Sequence, residues 1–441
     1  MQKRRRPARD MRAFLLFFLV VLLLIGALAF AMTRLVGGCA PPADVRALEA
    51  VAPTSTKEPI AEEPTTAAPT PSKEAATEAP TAEPTPEAAP EPLFTPRTAT
   101  IRALGDLMMH SEQLKLARRP GGKYDFHSQY ALIRESLECA DYTIANLETT
   151  VGLYSDKPYS GYPLFNAPEA LLEAVKDSGI DFLTLANNHM LDRYFDGMVQ
   201  TVNLVEKHGF DFGGANRTQA EKDAPKIVDV NGIKLGMLCY AQHTNGMERH
   251  SSVRAKEYGI NYLGKADFAA DVKKLRDAGA EVVIAIPHWG AEYERQPGTY
   301  ALTMARRMAE AGVDVILGSH PHVVQPVRFL EVKLPSGEAH RTLVAYSLGN
   351  FISNMSRPFT DMGIILEFTL VEKGTGGFSI EDVGYVPVYC WRSGKSIQSL
   401  PAPKYLDSPP AGMSSTRVSQ MRSGCQALQK LIGSGFPQWT E

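Results

Sequence analysis

The chain has 441 residues, long enough for two or three domains, with 46 basic against 49 acidic side chains and a formal net charge of -3. That balance, with no basic stripe outside the extreme N-terminus, gives no expectation of a nucleic-acid partner. Cys39, Cys139, Cys239, Cys390 and Cys425 are widely spaced with no Cys-x-x-Cys unit, which excludes a zinc ribbon; Cys139 and Cys239 lie in apolar contexts and read as buried thiols.

Residues 1–12 carry Lys3, Arg4, Arg5, Arg6, Arg9 and Arg12, and an uninterrupted apolar stretch comes next over 13–32. About 20 apolar residues suffice for a helix to cross a bilayer core of ~30 Å. The basic flank is expected to stay in the cytoplasm, which makes the chain a single-pass cell-membrane protein with its remainder extracytoplasmic. The alternative is a lipoprotein anchored at Cys39, because Val36-Gly37-Gly38-Cys39 resembles a lipobox. Residues 33–97 are rich in Pro, Thr, Glu and Ala and nearly free of aromatics, so they are expected to form a disordered linker with extended character.

From 98 to 392 strand-like and helix-like segments alternate, which predicts an α/β domain. Strands are expected over 98–104, 142–146, 181–186, 234–240, 281–287 and 313–317. Helices are expected within 130–139 and over 168–178, 195–208, 266–278 and 299–311. The apolar alternations at 341–346, 364–371 and 378–388 predict a more antiparallel later half. Residues 393–441 form a C-terminal extension with an amphipathic helix over 415–432, expected to cover an edge of the domain.

The residues just after the strands carry the chemistry. Five strand ends read Gly105-Asp106-Leu107-Met108-Met109-His110, Asn146-Leu147-Glu148, Asn187-Asn188-His189-Met190-Leu191-Asp192, His288-Trp289-Gly290 and Gly318-Ser319-His320-Pro321-His322. Each delivers residues able to hold a metal, at the position where sites gather in α/β folds. Carboxylates, imidazoles and an Asn carbonyl make an oxygen and nitrogen donor set suited to Mn, Fe or Zn. Two such ions sharing a carboxylate can activate water and stabilise charge on a phosphoryl or acyl centre.

The set GDLMMH, NLETT, ANNHMLD, HWGAEYE, GSHPHVVQP and YSLGNF resembles the CapA-type proteins of poly-γ-glutamate capsule synthesis, a branch of the calcineurin-like metallophosphoesterase superfamily. The resemblance covers about 98–352 and implies a four-layer α/β/β/α sandwich with two divalent metal ions. It implies a role in making or exporting an anionic capsule polymer, with capsule-synthesis membrane proteins as partners and an envelope phosphoester or the polymer as substrate. Carried across residue by residue, it implies that Asp106 and His322 bind the first metal, that Glu148 bridges, and that Asn188, His288 and His320 bind the second. His189 would be a general acid oriented by Asp192. Three positions depart from the pattern. Met108 stands where the superfamily has a histidine, so His110 becomes the substitute ligand; Glu148 replaces an aspartate; and Tyr194 replaces a common glycine.

Three further residues are candidates for substrate contact. Trp289 can line a groove or simply pack, Glu292 can face substrate or support the metal ligands, and Asn350 belongs to a family signature but also suits a turn. His127, His208, His243, His250 and His340 lack ligand-like neighbours and read as ordinary histidines.

Overall fold

Two sheets are stacked through a shared apolar core in the computed structural model, which describes residues 94–152 and 158–439. The basic flank, the apolar stretch at 13–32, Cys39 and nearly all of the linker expected over 33–97 lie outside the described residues. Among those described, no helix is long and apolar enough to cross a membrane.

The larger sheet contains β1 (Thr98–Leu107), β2 (Tyr142–Leu147), β5 (Phe182–Thr184), β6 (Asp211–Gly213), β13 (Asn350–Ile352), β14 (Met362–Glu372), β15 (Phe378–Ser393) and β16 (Ser396–Pro401). Its order is β16-β15-β14-β1-β2-β5-β6, with β13 pairing β1. The strands β1, β2, β5 and β6 are mutually parallel, whereas β14, β15 and β16 are antiparallel. The smaller sheet contains β7 (Ile227–Val230), β8 (Ile233–Ala241), β9 (Val282–His288), β10 (Val315–Leu317), β11 (Val327–Lys333) and β12 (Ala339–Ala345), in the order β11-β12-β10-β9-β8-β7. Its four inner strands are parallel, and the edges β7 and β11 are antiparallel. A short parallel pair, β3 (Thr150–Val151) with β4 (Asn166–Ala167), stands apart.

Strand parity distributes the core. Along β9, Val282, Ile284 and Ile286 join the core shared by both sheets, while Val283 and Ala285 face a second cluster formed with helices Phe268–Asp277 and Thr299–Glu310. The same alternation in β10 sends Val315 and Leu317 inward and Ile316 outward. Successive strand residues point to opposite faces, so His288 goes with Ile286 toward the inner side and Trp289 goes with Ala285 outward.

The parallel strands of each sheet end together, and the loops leaving those ends carry the ligand-type residues. The domain boundary expected at 392/393 falls inside β15, which continues through a tight turn into β16. Helix Ser415–Ile432 is capped by Ser414, buries Met421, Cys425, Leu428 and Ile432, and packs on β15. One thiol departs from expectation: Cys139 is exposed, because it falls just after the short helix Arg134–Glu138 rather than within a strand. Cys239, Cys390 and Cys425 are buried, and all four described cysteines are free.

Candidate metal centre

Close backbone approach at two glycines sets the site's floor. A Cβ on Gly105 would stand 1.7 Å from the Gly349 carbonyl oxygen, and one on Gly318 would stand 2.1 Å from that of Tyr346. Only glycine lets β1 and the chain after β10 run this near their neighbours. Asp106 comes directly after Gly105 and has no exposed surface. Its Oδ1 accepts from Asn146 Nδ2 at 2.8 Å, and its Oδ2 lies 3.1 Å from His322 Nδ1. Asn146 is held in turn by Asn187, whose Nδ2 donates to Asn146 Oδ1 (3.1 Å) and to the Leu147 carbonyl (2.8 Å).

His320 and His322 flank Pro321 with φ values of 98° and 58°, in a region that side chains other than glycine rarely adopt. Backbone in such conformations persists where surrounding contacts over-determine it, as they do here. Both rings are buried, and the Pro321 carbonyl accepts from the Tyr293 amide at 2.8 Å.

Among the described residues, ligand-type atoms gather in three overlapping groups, each with its atoms within 4.8 Å of one another: Asp106, Glu148 and His322; Glu148, His288 and His320; and Glu292, His320 and His322. Asn188 joins the second, with its Oδ1 3.0 Å from His288 Nε2. His288 Nε2 is also 3.1 Å from His320 Nδ1 and 3.6 Å from Glu148 Oε1. Ser319 Oγ lies 2.9 Å and the donor Asn146 Nδ2 3.3 Å from His288 Nδ1; when Nδ1 carries the proton and Ser319 accepts it, Nε2 is bare toward its neighbours. Facing lone pairs of this kind suit a cation.

Glu148 is decisive for the fit. Its residue has no exposed surface, and neither carboxylate oxygen has a hydrogen-bond partner. Buried polar groups are ordinarily satisfied, so both oxygens call for a partner that the described residues do not supply. Burial, then the nearby Asp106 charge, pushes the Glu148 carboxyl well above its ordinary range. Burial, then the neighbouring imidazoles, pushes His288 and His320 well below theirs, favouring the neutral rings that ligate metals. The donor set therefore fits a divalent cation of the Mn, Fe or Zn kind.

Beside these groups, His189 Nδ1 lies 2.8 Å from Asp192 Oδ2, which also accepts from the Phe165 amide at 2.7 Å. Burial pushes the Asp192 carboxyl up, and its hydrogen bond from His189 opposes that. The Phe165 ring meets the His189 ring edge-on at 4.7 Å.

Other expected residues are placed differently. His110 is not brought into any of the three groups: it precedes helix Ser111–Ala117, and its Nδ1 accepts from the Asn354 amide at 3.2 Å. Burial lowers its pKa to about 4. Trp289 does not line a groove. Parity turns it to the outer face of the smaller sheet, fully buried, with Nε1–H donating to the Tyr346 carbonyl at 3.0 Å. Asn350 is buried as well; its Oδ1 lies 3.1 Å from His322 Nδ1 while its Nδ2 donates to the Thr360 carbonyl at 3.0 Å. It orients a ring rather than facing solvent. Glu292 is exposed and stands with His320 and His322.

Asn146, Asn187 and Ser319 carry no ligand signal of their own in the sequence, although each adjoins a residue that does. His243, an ordinary histidine by sequence, meets the His320 ring edge-on at 5.2 Å. The signal that could have found it is its place two residues beyond β8, another parallel strand end.

Among curated proteins, the chain is 28% identical over 284 residues to capsule biosynthesis protein CapA of Bacillus anthracis, covering 63% of this chain and 65% of that protein. It is 26% identical over 284 residues to PGA biosynthesis protein CapA of Bacillus subtilis (strain 168), covering 64% and 70%. The chain thus spans just under two thirds of the first relative's length. Among solved structures, it aligns with the Haemophilus influenzae NAD nucleotidase NadN at TM-score 0.41 and 13% identity, covering 79% of this chain and 58% of that one. It aligns with the calcineurin-like phosphoesterase YfkN of Bacillus subtilis at TM-score 0.39 and 14% identity, covering 76% and 99%. With the bacterial capsule synthesis protein model, PGA_cap, matching residues 100–355, the chain belongs to that capsule synthesis family.

Proposed function

We propose that this chain is a membrane-anchored, extracytoplasmic hydrolase of capsule synthesis that uses divalent metal ions to cleave a phosphoester or amide bond in an envelope molecule. The observation that carries the reading is Glu148, a buried carboxylate with two unpartnered oxygens shared by two ligand groups. Asp106 and His322 would hold one ion, and Asn188, His288 and His320 the other, with Glu148 between them. The four-layer sandwich implied by the sequence motifs, capsule-synthesis membrane proteins as partners, and an anionic polymer or envelope phosphoester as substrate belong to the same reading.

Bound metal supplies an activated water and charge stabilisation at the reacting centre. The protein's own residues do the rest. Asp192 accepts from His189 Nδ1–H and so fixes the ring, leaving Nε2 to exchange a proton. When charged, His189 donates from Nε2 to a leaving oxygen or nitrogen; when neutral, it takes a proton there. The Phe165 ring and the surrounding burial shield this pair from water.

Two substitutions separate the roles. His320→Ala is expected to abolish metal binding, whereas His189→Ala keeps metal and loses about 10²–10⁴ in turnover of a Mn-dependent test substrate. A generic phosphodiester and a γ-glutamyl peptide serve as test substrates. A His189→Ala protein as active as the parent would remove the proton-transfer assignment, and a metal-loaded parent inert on both substrates would favour a non-catalytic assembly or polymer-binding role.

A further inference from the structure

A short stack of side chains leads from the centre to the surface. The Tyr293 ring lies 6.1 Å from the His322 ring, and the Arg357 guanidinium carbon lies 4.3 Å above the Tyr293 centroid. Arg357 is exposed and makes no ion pair with a carboxylate among the described residues. Its position is nonetheless fixed.

Two loops clasp each other there. One bears Tyr293 and Arg295 and the other Arg357 and Phe359; Arg357 covers Tyr293, while the Arg295 guanidinium carbon stands 4.1 Å from the Phe359 centroid. The turn holding Arg357 is closed by its own carbonyl, which accepts from Thr360 Oγ1 at 2.7 Å and from the Thr360 amide at 3.2 Å. Asn350, which touches His322, holds the Thr360 carbonyl of the same turn. Buried Gln325 ties down the other loop through the Glu294 carbonyl at 2.7 Å.

Stacking on a ring uses the face of a guanidinium and leaves its N–H donors, which lie in the plane, free to point outward. Such a preorganised fork loses little freedom when it binds a planar or tetrahedral oxyanion, and its bonds are charge-assisted. Glu292 stands nearby, hydrogen-bonded to Tyr293 and grouped with His320 and His322, but makes no ion pair with Arg357. A cation held one ring away from a proposed metal ligand, with no ion-paired carboxylate among the described residues, has the features of a substrate contact.

We propose that Arg357, presented by Tyr293, is a specificity residue that binds a carboxylate or phosphate oxyanion on the substrate unit flanking the bond cleaved at the metal centre. The inference deepens the hydrolase reading and rests on it for the word substrate. It assigns the substrate class as a molecule bearing a second anionic group beside the reacting one.

The test is calorimetric binding to the full chain, purified and Mn-loaded, with parent, Arg357→Ala and Arg357→Lys compared. Two probe pairs are used: N-acetyl-γ-glutamylglutamate against its trimethyl ester, and a glycerol phosphate dimer with its terminal phosphate present or removed. The parent is expected to prefer the anionic member of one pair by about tenfold or more, as a charge-assisted contact allows. Arg357→Ala should lose that preference and Arg357→Lys keep part of it, with metal content unchanged in both and the melting temperature lowered by no more than the few degrees that a lost cation–π contact costs. The responding pair identifies carboxylate or phosphate as the natural group. Equal preference in parent and Arg357→Ala, or no preference in the parent, overturns the inference while a metal-loaded, active parent leaves the hydrolase reading standing. A chain that binds no metal yet discriminates through Arg357 does the reverse.

Discussion

Replacing Glu148 with Gln keeps the side chain's shape and removes its charge, which makes the outcome depend on whether metal is present. Without metal, a charged Glu148 would sit fully buried with no donor, beside Asp106. An uncompensated buried charge costs several kcal/mol, which disfavours ionisation of the carboxyl in the folded state, so Gln, which needs no proton, should leave the metal-free fold at pH 7 at least as stable as the parent's. With metal at 100 times its dissociation constant, the parent gains about 2.7 kcal/mol. If Gln weakens binding ~100-fold, the same metal concentration adds only about 0.4 kcal/mol. At roughly 2–4 °C per kcal/mol, that separates a rise of about 5–10 °C from one of about 1 °C. Thermal denaturation of both proteins at pH 7, with and without Mn, reads the difference. Equal metal-induced shifts, or a metal-free variant destabilised by several kcal/mol, would show that Glu148 is not a metal ligand.

The pH dependence of the metal-free chain should carry opposing signs. Glu148 is raised in the folded state, so its contribution is full below the ordinary carboxyl value of 4.5 and is lost as pH rises through the folded value. His288 and His320 are lowered, so theirs is full above the ordinary 6.5 and is lost as pH falls. Subtracting the Glu148→Gln stability profile from the parent's isolates the carboxyl, and the difference should fall with rising pH above 4.5; a flat difference would contradict the burial argument. Trp289→Phe should cost about 1 kcal/mol, through the lost bond to the Tyr346 carbonyl, and leave KM unchanged; a raised KM would return Trp289 to the substrate groove. Gly318→Ala should destabilise by about 1–3 kcal/mol or more, because the added methyl meets the Tyr346 carbonyl, and denaturant unfolding with an unchanged midpoint would count against that contact.

Local pattern made the central strands and the ligand-bearing ends readable. Apolar runs such as Val282 to Pro287 and Val313 to Leu317 precede polar residues that carry chemistry, and parallel strands bring such ends together wherever they lie in the chain. Facing was harder to read. Trp289 is one residue beyond His288, and strand parity sends the two to opposite faces, which composition alone does not reveal. His110 looked like a substitute for Met108 by spacing, yet the start of a helix turns it toward Asn354. The Asn146–Asn187 network and the contact between His243 and His320 join residues far apart in sequence, and no local periodicity encodes such pairs. The Arg357–Tyr293 stack is of the same kind, since only the closure of two loops brings it into being.

The central claim is that Glu148 and its neighbours hold divalent metal. Its most direct test is elemental analysis of the full chain after equilibration with Mn and removal of free metal, run beside His320→Ala. About two equivalents are expected on the parent and a loss in the variant; a parent with no bound metal would contradict a metal centre at Glu148.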